Sequence, residues 1–348
     1  MGREGRGDLM HRPPAVARVL ERVTRTAREH EMFAPGDRVL VSVSGGPDSV
    51  CLLYSLSHLR RLFRVELEVF HFDHRLRSGS AADGEYVRRL AERLRLPFHL
   101  RSARDAPAKG ESVEAWATVA RTNAADAIRN EIGARSVAEG HTLDDQAETV
   151  LLNLIRGTGL EGMSGIWPGS REVAIVQPLL DVERAEVEAF CKASHLRPRL
   201  DPTNRSTRHL RNAIRLKVLP AIERATGREV RRPIARTADL LREDRVELYA
   251  AAVRAMDRAV VDADGEQRFD VRALRSLPRP VASRVVRLAL LGTLSPGDGP
   301  AWTTDAVDAV LDLAEGRPGR RRDLPTGLKA RREREYVSVS RTSPESRV

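Results

Sequence analysis

The chain has 348 residues, 41% hydrophobic and 31% charged, with a formal net charge of +10. That length accommodates one large domain and a smaller one, and no apolar run approaches the ~20 residues a membrane-spanning helix needs, so no membrane partner is expected. The two cysteines, Cys51 and Cys191, are far apart and in no CxxC pair; this excludes a disulfide framework, a structural zinc site and a dithiol redox centre, and both read as small buried hydrophobes.

The N-terminal MGREGRGDLMHRPP carries charge with no apolar stretch behind it, and Arg6 stands where a myristoylation site needs Ser or Thr. A cytoplasmic location is therefore expected. Nearly all of the basic excess is arginine, the lysines being Lys109, Lys192, Lys217 and Lys329. The guanidinium fork suits phosphate oxygens, so the charge fits a polyanionic partner, although composition alone does not separate that from genome bias.

In chain order, residues 14–33 form an amphipathic helix ended by Pro35-Gly36. RVLVSV is a short, β-branched run and reads as a buried strand, followed by a helix from Asp48 to about Arg60. VELEVF, PFHLRS, RSVAEG and EVAIVQP supply further strands, separated by helices over 80–95, 111–132 and 143–156, with another starting near Val182. Strands alternating with helices predict a parallel α/β sheet covered on both faces. After Pro220 the pattern becomes mainly helical, with turn clusters at SPGDGP and GRPGRRRDLPTG and a single short strand in REYVSVS. The expected organisation is a catalytic domain over 1–215, a linker helix over 216–230, a smaller C-terminal domain over 231–340 and a disordered tail over 341–348.

Ser44-Gly45-Gly46-Pro47-Asp48-Ser49 lies directly between a strand and a helix. Two glycines allow close backbone approach to an anion, and the helix start directs free N–H groups and a positive dipole end at it. The Ser44 and Ser49 hydroxyls can donate to phosphate oxygens, and Asp48 can hold Mg²⁺ directly or through water. No GK[ST] follows, so this is not a Walker A loop. His71-Phe72-Asp73-His74 ends the second strand; alternation sends His71 and Asp73 to one face and His74 to the other, which favours nucleotide binding or loop structure over a metal site.

Glu139-Gly140-His141-Thr142 leads into a helix bearing Asp144, Asp145 and Glu148. Thr142 is placed to cap it, and the two aspartates complement its dipole. Glu148 shares a face with both aspartates, and like charges so placed require a cation: Mg²⁺, an ammonium group or an arginine. A Gly-rich loop over 156–165 follows. Beyond Asp201-Pro202-Thr203-Asn204, the residues Arg205, Arg208, Arg211, Arg215 and Lys217 have no acid among them before Glu223, a pattern that favours phosphate contact. All three motifs fall at the carboxyl ends of parallel strands, where open α/β sheets bind ligands.

The SGGPDS hexapeptide resembles the SGGxDS fingerprint of N-type PP-loop ATPases, which cleave ATP to AMP and pyrophosphate. Together, HFDHRLRSGSAADGEYV, EGHTLDDQAETVLLNLIRGTGLEGMSGI and DPTNRSTRHLRNAIRLKVLP resemble the tRNA(Ile)-lysidine synthetase family, in order and spacing, from about Val39 to Pro220. The end, LPTGLKARREREYVSVS, is similar in outline to that family's first C-terminal domain. The resemblance implies a PP-loop domain with a smaller, mainly helical tRNA-binding domain. It further implies that ATP adenylates the C2 carbonyl oxygen of the wobble cytidine of the CAU-anticodon isoleucine tRNA, and that the amine of L-lysine then displaces AMP.

On that resemblance, Ser44 to Ser49 bind ATP with His71, Asp73, Gly140 and His141, and Asp48 holds Mg²⁺. Asp145 and Glu148 bind the lysine ammonium or help deprotonate its amine, and Asp48 and Arg121 belong with them in the catalytic set. Arg205, Arg208, Arg211, Arg215 and Lys217 contact tRNA, Arg211 and Arg215 matching the family's RNxxR element. A homodimer is an allowed assembly. Where the family has EAxARxxRY, this chain has Thr118 for the first arginine and Thr122 for the tyrosine, while Arg121 is kept. The alternatives are a PP-loop tRNA thiolase, which generally needs paired cysteines, an RNA-binding protein with a vestigial PP-loop, and an amide-forming small-molecule synthetase, which leaves the basic run unexplained.

Overall fold

The computed structural model describes residues 12–76, 79–108, 110, 112–199, 210–263, 266–292 and 303–341. The chain divides into two compact units, Met1–Asp239 and Leu240–Val348. No helix among the described residues is long and apolar enough to cross a membrane.

The first unit alternates strands and helices: α1 (Pro14–Glu29), β1 (Arg38–Ser42), α2 (Pro47–Phe63), β2 (Glu66–Asp73), α3 (Ser80–Leu94), β3 (Phe98–Ser102), α4 (Val113–Glu131), β4 (Ser136–Ala138), α5 (Leu143–Ile155), α6 (Leu160–Met163), β5 (Ile175–Val176) and α7 (Arg184–Ala193). The strands form one sheet in the order β3-β2-β1-β4-β5, and every pair is parallel. The periodicity of the strands explains the layering. Val39 and Val41 of β1 join Val69 of β2 in a core with α1, α2, α3 and α7, whereas Leu40 and Phe70 face the opposite way, toward Ala125 and Ile128 of α4. With both faces buried, short apolar strands outcompete helix in these segments.

The direction of winding reverses between β1 and β4, so the loops leaving their carboxyl ends part and open a crevice. From residue 210 the described chain continues through α8 (Leu210–Ala213), a π-helical turn (Ile214–Val218), α9 (Leu219–Thr226) and α10 (Arg231–Ala259). The stretch 216–230, expected as a linker helix, holds most of a π-helical turn and α9, and the two units divide within α10. The expected tail beyond Arg341 and the SPGDGP cluster lie outside the described residues.

The second unit keeps its helices and, where the sequence offered a single short strand, holds an antiparallel sheet. β6 (Val260–Ala263), β7 (Glu266–Asp270), β8 (Arg321–Asp323), β9 (Leu328–Arg332) and β10 (Tyr336–Arg341) pair in the order β6-β7-β10-β9-β8. α11 (Val271–Ser276), α12 (Arg279–Gly292) and α13 (Thr304–Glu315) supply apolar residues to a core shared with Phe269, Ala330, Val337 and Val339. Sequence periodicity read β10, in REYVSVS, and passed over the other four, which are short and, in β8 and β9, arginine-rich. In β9 only Leu328, Ala330 and Arg332 are buried, and β8 is exposed throughout.

At the crevice of the first unit, a side chain at Gly140 would meet the backbone of Asp48 at 3.2 Å and the Ser49 nitrogen at 3.3 Å. The β4–α5 turn therefore lies directly on the β1–α2 turn. Gly140→Ala should push the two apart, destabilising the protein by about 1–3 kcal/mol and weakening ATP binding; denaturant melts and nucleotide titration of this variant check both.

Candidate functional site: a nucleotide cavity bordered by an arginine–carboxylate cluster

Gly45 has φ +93°, a conformation open to glycine, and Pro47 occupies the first helical position of α2. The loop closes on its own hydroxyls: Ser44 Oγ lies 3.1 Å from Ser49 Oγ, Ser49 donates to the Gly46 carbonyl at 3.0 Å, and the Gly45 and Gly46 amides donate to Ser49 and Ser44. Both serines thus shape the loop as well as lining the cavity, and the first-turn N–H groups of α2 have no intrahelical acceptor.

The cavity, about 670 Å³, is lined by Ser44, Asp48 and Ser49 from this loop and by His71 and Asp73 from β2. Arg121, Gly140, His141, Asp145 and Arg211 complete its lining from the other side. His71 is buried and donates Nδ1–H to the Val43 carbonyl at 2.7 Å, so its ring braces the ends of β1 and β2. Asp73 accepts from the Arg75 amide at 2.8 Å and shapes the following turn. His141 Nδ1 is 3.0 Å from Gln177 Oε1.

Burial dominates at Asp48 and pushes its carboxyl up to about 6; Arg184 opposes the rise and Asp145 adds to it. Its Oδ1 is buried and has no hydrogen-bond partner. A buried carboxylate oxygen without a donor, beside a loop shaped for phosphate, fits a hard cation that completes its shell with phosphate oxygens and water.

Asp145 and Glu148 are both buried on one face of α5. Asp145 closes a capping box with Thr142 through Oδ2, leaving Oδ1 to arginines. Arg211 reaches Asp145 at 3.3 Å and Glu148 at 3.1 Å; Arg215 reaches them at 3.1 and 2.5 Å; Arg184 stands 3.5 Å from Asp145. Burial alone would raise the Asp145 carboxyl, but Arg211, His141 and Arg184 outweigh it and hold it below its ordinary value. Of the three cations the sequence left open, arginine is the one in place. The expectation that the basic run lacks carboxylate partners is thereby corrected for Arg211 and Arg215. Their partners come from α5, more than sixty positions earlier, where a local scan for acids does not look. Lys217 is exposed on the π-helical turn, while Arg205 and Arg208 lie outside the described residues.

Three contributors were not anticipated. Glu139 pairs with Arg121 and accepts from Gln177 at 3.2 Å; burial would raise its carboxyl, yet Arg121 and His141 bring it below the usual range. Asp83, buried in the cavity wall, accepts from Arg199 at 2.7 Å, and the Arg199 amide donates to the Gly45 carbonyl. Arg184 belongs to the carboxylate cluster. The position of Glu139 at the end of β4 was the one readable signal among them. Thr118 is exposed and its hydroxyl donates to the Glu114 carbonyl within α4. Cys51 and Cys191 are buried free thiols, and burial, then Asp48, pushes Cys191 up to about 12.

Residues 17–222 match the PP-loop domain family and residues 269–338 match the TilS substrate binding domain. Fold, loop and cavity define an ATP-utilising protein of the PP-loop class. A tRNA(Ile)-lysidine synthase from Symbiobacterium thermophilum is 40% identical over 329 residues, covering 89% of this chain and 67% of that protein. One from Geobacter sulfurreducens is 37% identical over 338 residues, covering 93% and 69%. The U34-tRNA thiolase NcsA from Methanococcus maripaludis, with its 4Fe-4S cluster, shares the fold at TM-score 0.56 and 18% identity, over 66% of this chain and 79% of that one. The chain belongs to the tRNA(Ile)-lysidine synthase family.

The raised Asp48 carboxyl has a readable consequence. Between its ordinary 3.8 and about 6 the folded state keeps a proton that the unfolded chain has released, so ligand-free stability falls as pH rises through that window, by up to about 3 kcal/mol. Asp48→Asn should melt like the parent near pH 4 and above it near pH 7.5, while losing the extra stability that magnesium and ATP confer. Thermal melts across that range, with and without both ligands, check the sign; matching profiles for the two proteins would refute it.

Proposed function

We propose that the protein ligates L-lysine to C2 of the wobble cytidine in the CAU-anticodon isoleucine tRNA, giving lysidine, AMP and pyrophosphate. The geometric observation behind the chemistry is that Asp48 of the Gly-rich loop and Asp145 of the acidic helix line one cavity. The choice of substrate rests on the likeness to lysidine synthases. Such a reaction places the protein with ATP and tRNA in the cytoplasm.

In this reading the loop over Ser44–Ser49 receives the phosphates at the start of α2, and Gly140 keeps the opposite wall close. Asp48 would hold Mg²⁺, which would supply charge neutralisation for a departing pyrophosphate. Attack of the cytidine O2 on the α-phosphorus forms the O–P bond and releases pyrophosphate. The lysine amine then attacks C2, and the C–O bond breaks with AMP leaving. Arg211 lines the cavity while pairing with Asp145 and Glu148. A phosphate in the cavity competes with Asp145 for its guanidinium and so frees a carboxylate for the lysine ammonium. Arg121 is held by Glu139 toward the same space, and Lys217, Arg205 and Arg208 contribute to the tRNA grip.

Two buried cysteines give no reactive thiolate, which weighs against sulfur transfer. Incubation with ATP, labelled lysine and bulk tRNA, followed by digestion to nucleosides, tests the proposal. Label in a modified cytidine is the expected result; ATP consumption with label nowhere overturns it. In the same assay Asp145→Asn and Glu148→Gln should alter lysine kinetics far more than the KM for ATP. A binding role raises the lysine KM, whereas a role in deprotonation lowers kcat at saturating lysine. Unchanged lysine kinetics in both variants would leave these carboxylates as arginine partners alone.

A further inference from the structure

A second cavity, about 410 Å³, adjoins the first at the carboxyl edge of the sheet, and Phe72 lines both. Its volume falls within the range of small-molecule sites. The α4 residues Trp116, Ala120, Asn123, Ala124 and Ala127 present one face of that helix to the chain leaving β3. The alanines are why space remains there: larger residues at these positions would fill it. The floor is apolar and aromatic, and the rim is polar, with exposed Arg104, Asp105 and Asn123. Arg104 has no ion pair among the described residues.

The wall between the cavities is a run of rings. Phe72 packs edge-on to His74 at 4.8 Å, and His74 lies 6.4 Å from Trp116. His74 lines the first cavity, and its Nδ1 is buried without a hydrogen-bond partner. Burial, helped by Arg121, lowers its basicity, so the ring is neutral at physiological pH. An aromatic floor, an arginine at the rim without an ion pair among the described residues and an amide suited to reading an edge are features that hold a splayed-out base of single-stranded RNA.

We propose that this second cavity receives the base next to the reacting cytidine, the anticodon adenosine that follows it, stacked on Trp116 with its backbone phosphate at Arg104. The shared Phe72 wall gives the adjacency that consecutive nucleotides need. Adenine suits the cavity because an asparagine such as Asn123 pairs with its N6 and N7, and because a purine stacks over more area than a pyrimidine. Asp105 adds an acceptor for the exocyclic amine. The assignment rests on the lysidine-forming reading of the first cavity, and Trp116 acts as a substrate-binding residue.

A double-substitution cycle tests it, pairing Trp116→Ala with an isoleucine tRNA that is abasic at the middle anticodon position. Stacking of one base on an aromatic ring implies that either change alone weakens tRNA binding about 5- to 100-fold. The two together should cost little more than one, and Trp116→Phe should recover most of the affinity. The KM for ATP should stay at the parent value. Additive losses, a parallel fall in ATP affinity, or coupling to an abasic uridine position instead would each overturn the assignment. The parent protein reports on the underlying reading separately. Lysidine formed by the parent, with Trp116→Ala indistinguishable from it, rejects the second cavity alone, whereas no lysidine from the parent rejects the function.

Discussion

Two carboxylates one turn apart on a buried helix face cannot both stay ionised without cations, and much of the first unit's arrangement around the crevice follows from that demand. Asp145 and Glu148 draw Arg211 and Arg215 onto α5, and Arg184 at the start of α7 approaches the same aspartate. These contacts tie the segment holding Arg211 and Arg215 to the helix after β4. Removing one partner from such a buried set typically costs about 3–5 kcal/mol, because a charge is left without compensation. The cluster is thus an anchor for the basic segment as well as a candidate site, and it sets the charge of the cavity wall facing the Gly-rich loop.

That wall explains the state of Asp48. Its carboxyl is buried, shares the region with Asp145 and Asp144, and receives only partial compensation from Arg184 and Arg215. The same arginines are committed to α5. In the proposed reaction, this deficit of positive charge beside the Gly-rich loop is what a cation arriving with the nucleotide would fill. The deficit at Asp48 and the neutralisation at Asp145 are two sides of one distribution of arginines.

The first unit was readable from sequence because each of its signals is local. Val39, Leu40 and Val41 declare a strand buried on both faces, and Ser44 to Ser49 are contiguous, so loop, strand and helix start are legible together. Thr142 and Asp145 likewise form their capping box within one turn. What escaped depends on distance along the chain. Arg121 meets Glu139 across the turn after α4, Arg211 and Arg215 meet α5 from over sixty residues away, and Arg199 reaches Asp83 in α3's first turn from 116 residues on. Four of the five strands in the second unit's sheet escaped for another reason. They are short, and in β9 the buried Arg332 stands where an apolar side chain would have signalled the core face.

The use of arginine rather than lysine in the cluster has a physical logic in the proposed reaction. Arg215 spans the two acids, Nε on Glu148 and Nη2 on Asp145, a bridge that one ammonium point charge makes less well. More important is reactivity. An activated cytidine carbonyl beside a lysine of the protein would face a competing primary amine, tethered and present at high effective concentration. A guanidinium stays protonated and offers no such nucleophile. Among the described residues lining the cavity there is no lysine, and the cations at Asp145 and Glu148 are all arginines. In the proposed reaction, a site that consumes free lysine keeps its own charge balance with a residue that cannot imitate the substrate.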